Sequence, residues 1–114
     1  MTFPKSVRLR RTRDYRRVQG RGRRLRTRHL LVLYVPGSES CSRFGVTVSR
    51  KVGNAVTRNR VKRWLREGIR HHRTELRGCL DVVFIANPRA ATASQEVIRD
   101  EVCSVMQRLG EGTP

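Results

Sequence analysis

Aromatic side chains are scarce in this sequence, at 5% of 114 residues. Sequence-tolerant binding of single-stranded nucleic acid leans on aromatic stacking platforms, so any polyanion recognition here must rest on charge and shape. Cysteine is sparse too, and Cys41, Cys79 and Cys103 form an odd set without C-x-x-C spacing. Neither a disulfide framework nor a zinc site is suggested, and free thiols are expected. No apolar run reaches membrane-spanning length and the amino terminus lacks the apolar core of a signal peptide, so a cytoplasmic chain without a membrane partner is expected. Catalytic motifs are also missing. The nine carboxylates form no evident pair, and Asp14 and Asp81 would meet only by an accident of folding. No H-E-x-x-H, phosphate-cradling glycine loop or nucleophile elbow occurs. The chain is therefore expected to carry no catalytic residue, no metal ligand and no small-molecule substrate of its own.

What the sequence has in excess is positive charge, +17 net. Self-repulsion on that scale disfavours a lone compact chain and favours a polyanionic partner, nucleic acid first. The excess is uneven: residues 1–28 carry +11, residues 29–78 carry +8, and residues 79–114 carry −2. The polyanion site thus belongs to the first two thirds. The length allows one small domain with a modest core.

Residues 1–11 read as a flexible basic arm, residues 12–110 as a single nucleic-acid-binding domain, which the resemblance below makes RNA-binding, and residues 111–114 as a frayed tail. Thr12 is a plausible N-cap for a short helix ending near Gln19, with Asp14 favourably placed in its first turn. Tyr15 either docks on the core or stands beside a groove where it could stack on a base. Residues 21–28 are an irregular connection or a twisted edge strand. His29–Val35 is a nearly continuous apolar strand in which Tyr34 faces either core or groove. Arg43–Ser49 alternates Phe44, Val46 and Val48 with Gly45, Thr47 and Ser49, so it is a half-buried strand expected to pair as a hairpin with its predecessor. Leu80–Ala86 is a buried strand, and the intervening helix makes it a parallel crossover partner. Ala93–Leu109 is an amphipathic helix with a Thr92/Gln95 capping box and Gly110 as its stop.

The stretch from Arg50 to Arg66 organises the rest. Gly53 and Asn54 tolerate left-handed backbone angles and can end a strand sharply. Beyond Val56, the residues Val61, Trp64, Leu65, Gly68 and Ile69 fall within roughly 140° of a helix circumference, and Asn59, Lys62, Arg63, Arg66, Arg70 and Arg73 within about 100° of the other side. Cations at this spacing stand one helical turn apart and can follow successive phosphates. Glu67, near the edge, is the one acid beside them. His71 and His72 point about 100° apart and are poorly placed to share a metal.

Lys51-Val52-Gly53-Asn54-Ala55-Val56, followed by Arg58-Asn59-Arg60 and Lys62-Arg63, closely resembles the signature of the protein subunit of bacterial ribonuclease P. The likeness extends in layout over most of residues 7–109. It implies an α+β fold, a small two-layer sandwich of order α-β-β-α-β-α with a left-handed β-α-β crossover where a right-handed one is the default. It implies a catalytic RNA partner that uses Mg2+, bound mainly by the RNA, to remove the 5′ leader of precursor tRNA. On this resemblance the RNA-subunit contacts are Arg50, Lys51, Asn54, Arg58, Asn59, Arg60, Lys62, Arg63 and Arg66. The leader cleft is lined by Tyr15, Gln19, Tyr34, Thr47 and Ser49, and Gln19 departs from the second aromatic that many members carry. The competing readings are a general or ribosome-associated RNA-binding protein and a DNA-binding helix module; the second is weakened because the basic helix follows a strand.

Overall fold

The computed structural model describes residues 7–37, 41–76 and 78–112. The chain runs α1 (Thr12–Arg21), β1 (Arg23–Arg26), β2 (Leu30–Pro36), β3 (Arg43–Thr47), α2 (Ala55–His72), β4 (Leu80–Ala86) and α3 (Gln95–Gly112), with short 3-10 turns at Arg73–Glu75 and Pro88–Thr92. The four strands form one sheet in the order β1-β2-β4-β3.

That order corrects the expected hairpin. β2 pairs antiparallel with β4, and β3 pairs with β4 in parallel, so β4 separates β2 from β3. The physical reason lies in β4 itself: six of its seven residues are buried. A strand apolar on both faces is best placed with a neighbour on each side and with cover above and below. The parallel crossover through α2 is as expected. The arginine-rich stretch resolves as the edge strand β1, paired antiparallel with β2. An edge position suits it, because charged side chains there remain in water and discourage further pairing.

Two apolar layers flank the sheet. Leu30, Val32, Phe44, Val82 and Phe84 pack with Val61, Leu65 and Ile69 of α2 and with Ile98, Val102, Val105 and Met106 of α3. The alternate residues Leu33, Val35 and Val83 pack with Val18 and Tyr15 of α1 on the opposite face. The α+β sandwich therefore has α2 and α3 on one side and a short α1 covering part of the other.

Several local expectations shift. Residue Arg11, without a side-chain cap bond, precedes α1 in place of Thr12, and the helix continues through Gly20 to Arg21. Ser94, whose Oγ accepts from the Val97 amide, caps α3 in place of Thr92, and the helix passes Gly110 to reach Gly112. The basic arm is docked from Val7 onward: Val7 and Leu9 are buried, and the Leu9 amide donates to the Phe44 carbonyl at 2.8 Å. Residues 1–6, 113 and 114 of the expected arm and tail lie outside the described residues.

Candidate nucleic-acid interface

Helix α2 begins where its sequence says a helix can. Asn54 has φ −70°, so it is not left-handed as expected; it is the N-cap, and its side chain accepts from the Thr57 amide at 2.9 Å. The positive φ in this turn is Gly53's, at 159°. From there Val61, Leu65, Gly68 and Ile69 turn inward. Asn59, Arg63 and Arg66 are exposed, as are Arg50 and Lys51 in the preceding turn, while Lys62 is half-buried.

The basic residues of α2 divide into two sets. Arg60 turns toward the α3 side, where its guanidinium lies 5.3 Å from the Trp64 ring centroid and donates to the Ala91 carbonyl at 3.2 Å. Both contacts commit it to packing. Trp64 is only half-buried beneath it, which moves this residue from core to core margin. Glu67 leans the same way and pairs with Arg99 of α3 at 3.9 Å. The one acid near the ridge is thereby drawn off it. Arg66 lies on the other flank, close enough for its charge to act on the Tyr15 phenol. The half-buried Arg58 has an Nε without a hydrogen-bond partner.

Strand pairing lines up rows across the α1 face of the sheet. One row is Arg24, Leu33, Val83 and Gly45, and the next is Arg26, Leu31, Ile85 and Thr47. Directly paired residues share a face, and Leu33 and Val83 are packed beneath α1 while Leu31 and Ile85 are only partly covered. The Arg26-to-Thr47 row is thus the floor of a shallow groove. Four strands spaced about 4.8 Å apart make it about 14 Å across. Tyr15 forms one wall. A Cβ on Gly45 would come within 2.5 Å of the Tyr15 hydroxyl, so glycine is what lets this ring lie against the sheet. Burial pushes the Tyr15 phenol above its usual range, opposed by a hydrogen bond from the Val46 backbone and by the Arg66 charge. Tyr15 is both docked and half-exposed, so the two readings of it merge.

The remaining expected groove residues scatter. Gln19 is exposed on α1, about one turn beyond Tyr15. Thr47 lies in the floor row and is half-buried. Ser49 lies beyond the end of β3, where its Oγ accepts from the Lys51 amide at 3.3 Å. Tyr34 is not in the groove: it packs against the cluster beneath α2 and α3, on the far face of the sheet. Because β2 is apolar on both faces, alternation alone could not choose its direction. Sequence reasoning also passed over Arg24 and Arg26, which border the groove on the β1 side; the density of arginines was a signal, but its orientation depends on the pairing.

The helix carrying Tyr15 is held by an ion-pair network. Asp81, fully buried, pairs with Arg17 of α1 and with Arg43 of β3, and Arg43 also reaches Asp14 at 3.5 Å. Asp14 and Asp81, expected to meet only by accident, share this guanidinium. Paired in this way, they anchor α1.

Comparison with known proteins agrees with this fold. The Ribonuclease P family profile matches residues 3–110. The chain is 40% identical to the ribonuclease P protein component of Desulfovibrio desulfuricans, over 98% of this chain and 89% of that protein. It is 33% identical to that of Caldanaerobacter subterraneus, over 91% and 90%. Among solved structures it superposes on the RNase P protein of Thermotoga maritima with TM-score 0.80 at 28% identity, covering 89% of this chain and 96% of that one. The Staphylococcus aureus RNase P protein gives TM-score 0.83 at 26% identity, covering 94% and 100%. The chain belongs to the family of bacterial ribonuclease P protein components.

Proposed function

We propose that this chain grips the catalytic RNA subunit of ribonuclease P through the outer face of α2 and guides the 5′ leader of precursor tRNA along the groove beside Tyr15. As a family member it is a subunit of an endoribonuclease that matures tRNA. The observation that carries the reading is the α2 ridge, with exposed Asn59, Arg63 and Arg66 and its one neighbouring acid paired elsewhere. Repulsion along such a ridge is relieved when phosphates replace the missing counter-charges, and released counterions supply the affinity. Lys62, Arg58 and the turn residues Arg50 and Lys51 extend the contact, with Asn54 fixing the turn that aims them. Arg60 contributes chiefly by holding Trp64 and Ala91 in place.

In the groove, Leu31 and Ile85 offer an apolar floor, Thr47 a hydroxyl, and Arg24, Arg26 and Arg66 cationic margins. One base can stack on Tyr15 while the backbone runs between those margins. The chain acts by position: it holds substrate and catalytic RNA together and screens their mutual repulsion. The family's chemistry is Mg2+-dependent, and the ion supplies a Lewis acid for phosphodiester hydrolysis. Three of this chain's carboxylates are already engaged, Asp14 and Asp81 by arginines and Glu101 by Thr27 and His29. In this reading the Mg2+ is held mainly by the RNA.

Replacing Arg63 and Arg66 with Ala should reduce the slope of log affinity against log salt for the RNA subunit by about two. The parent chain should restore 5′ cleavage of precursor tRNA by the RNA subunit at low Mg2+, and the double variant should do so poorly. An unaltered slope refutes the ridge. RNA recovered with the protein should be dominated by one structured species, and a broad ribosomal spectrum would instead support general RNA binding.

A further inference from the structure

Three side chains with metal-binding chemistry converge, two of them three residues apart and the third brought in by another helix. His72 ends α2, Glu75 ends the 3-10 turn that follows, and Cys103 lies on α3. His72 Nδ1 is 3.1 Å from Glu75 Oε2, and Cys103 Sγ is 3.6 Å from the same oxygen. All three donor atoms lie within 4.8 Å of one another, and among the described residues no other group of three such donors occurs. His71, the neighbouring imidazole, is directed elsewhere, with its Nε2 3.1 Å from an Arg70 nitrogen.

We propose that His72, Glu75 and Cys103 form a three-ligand site for one zinc-like divalent transition ion, with water in the fourth position. The distances carry the argument. Tetrahedral zinc, with bonds of about 2.0–2.2 Å to nitrogen or oxygen and about 2.3 Å to sulfur, separates N from O by about 3.3–3.4 Å and S from O by about 3.6 Å. The N–O and S–O edges match these within about 0.3 Å. Only the third edge, between sulfur and nitrogen, has to close, to about 3.6 Å. All three side chains are partly exposed or at the surface, so the water position is open.

Donor type decides which ion. Imidazole, thiolate and a single carboxylate suit borderline-soft ions, whereas Mg2+ prefers an oxygen shell that keeps most of its waters. A chain of net charge +17 attracts no cation by its overall field, so affinity must come from chelation. Binding displaces the Cys103 thiol proton to solvent; partial burial and then the Glu75 charge otherwise hold that proton above the usual thiol range. The bound ion would staple the end of α2 and its 3-10 turn to α3. The absence of C-x-x-C spacing hid the site, because its ligands come from three elements and 28 residues separate Glu75 from Cys103.

The test is titration of the full-length protein with Co2+, read by absorption, then displacement by Zn2+. A Cys41→Ser/Cys79→Ser background removes the other two thiols. In that background, one equivalent of Co2+ should give a thiolate-to-metal charge-transfer band with tetrahedral visible transitions, and excess Mg2+ should leave it unchanged. Cys103→Ser should abolish the band. His72→Gln should weaken binding by more than about 100-fold, the upper end of what losing a mere outer-sphere partner costs. Circular dichroism confirms that each variant is folded. No thiolate band in the background protein, or a band that survives Cys103→Ser, overturns the proposal. Ready displacement by Mg2+ does the same.

Discussion

Helices α2 and α3 have the same length, 18 residues each, and cover the same face of the sheet. They approach closely: a Cβ added to Gly68 of α2 would meet the Val102 side chain of α3 at 3.2 Å. Their inner stripes do equivalent work, with Val61, Leu65 and Ile69 matched by Ile98, Val102 and Val105, all fully buried. Their outer faces differ in charge, although α3 also exposes Arg108. On α2 the exposed side chains include Asn59, Arg63 and Arg66, whereas on α3 they include Glu96, Asp100, Ser104 and Gln107. Packing constrains the inner stripe of a helix and leaves the outer face free, so the cationic ridge is not a by-product of the fold. It is the side on which we propose that a polyanion is received.

The largest expected effect tests the inner equivalence. Leu65→Ala in α2 and Ile98→Ala in α3 should each cost about 2–5 kcal/mol, because both remove buried methyl groups and leave cavities. Denaturant unfolding measures this. Once the folded fraction is taken into account, Ile98→Ala should leave RNA affinity intact. A loss below about 1 kcal/mol in either variant would break the equivalence.

A smaller effect sharpens the difference between the outer faces. Asn54→Ala removes the side chain that accepts the Thr57 amide at the start of α2, at a cost of about 1 kcal/mol. Because the same turn carries Arg50 and Lys51, affinity for the RNA subunit should fall as well, and Asn54→Ser should restore both. Capping of α3 by Ser94 allows the matching control: Ser94→Ala should lower stability by a similar amount and leave RNA binding unaltered.

These helices were also the most legible parts of the sequence. A 3.6-residue period over four or five turns specifies which face is buried, so the inward residues of α2 and the basic arc opposite them follow from the sequence, apart from the marginal Trp64. Arg60 has partners that a helical wheel does not reveal, because a wheel gives direction but not the Trp64 ring and Ala91 carbonyl waiting there. Strand neighbours were less legible. Alternation in Arg43–Ser49 specifies faces, but nothing local tells β3 to lie beside β4 and not beside β2. In β2 even the faces were hidden, since burial on both sides erases alternation, and Tyr34 was left undecided. The meeting of Asp14, Arg43 and Asp81 depends on bringing α1, β3 and β4 together, and no short window contains it.

The subtlest prediction separates the position of charge from its amount. Ser104→Lys with Gln107→Lys adds two cations to the exposed face of α3, the same change in size as that made on α2 by neutralising Arg63 and Arg66, but of opposite sign. Adjacent helix axes are about 8–10 Å apart, close to one Debye length at physiological salt, so the new lysines can strengthen long-range attraction at low salt. The salt slope counts something else: the counterions displaced by phosphates in contact. If RNA sits on α2, lysines on α3 touch no phosphate, and the slope should stay at the parent value while affinity rises modestly at low salt. A slope steeper by about two would mean that RNA contacts both helices. Nothing would then distinguish the ridge from the rest of a basic surface.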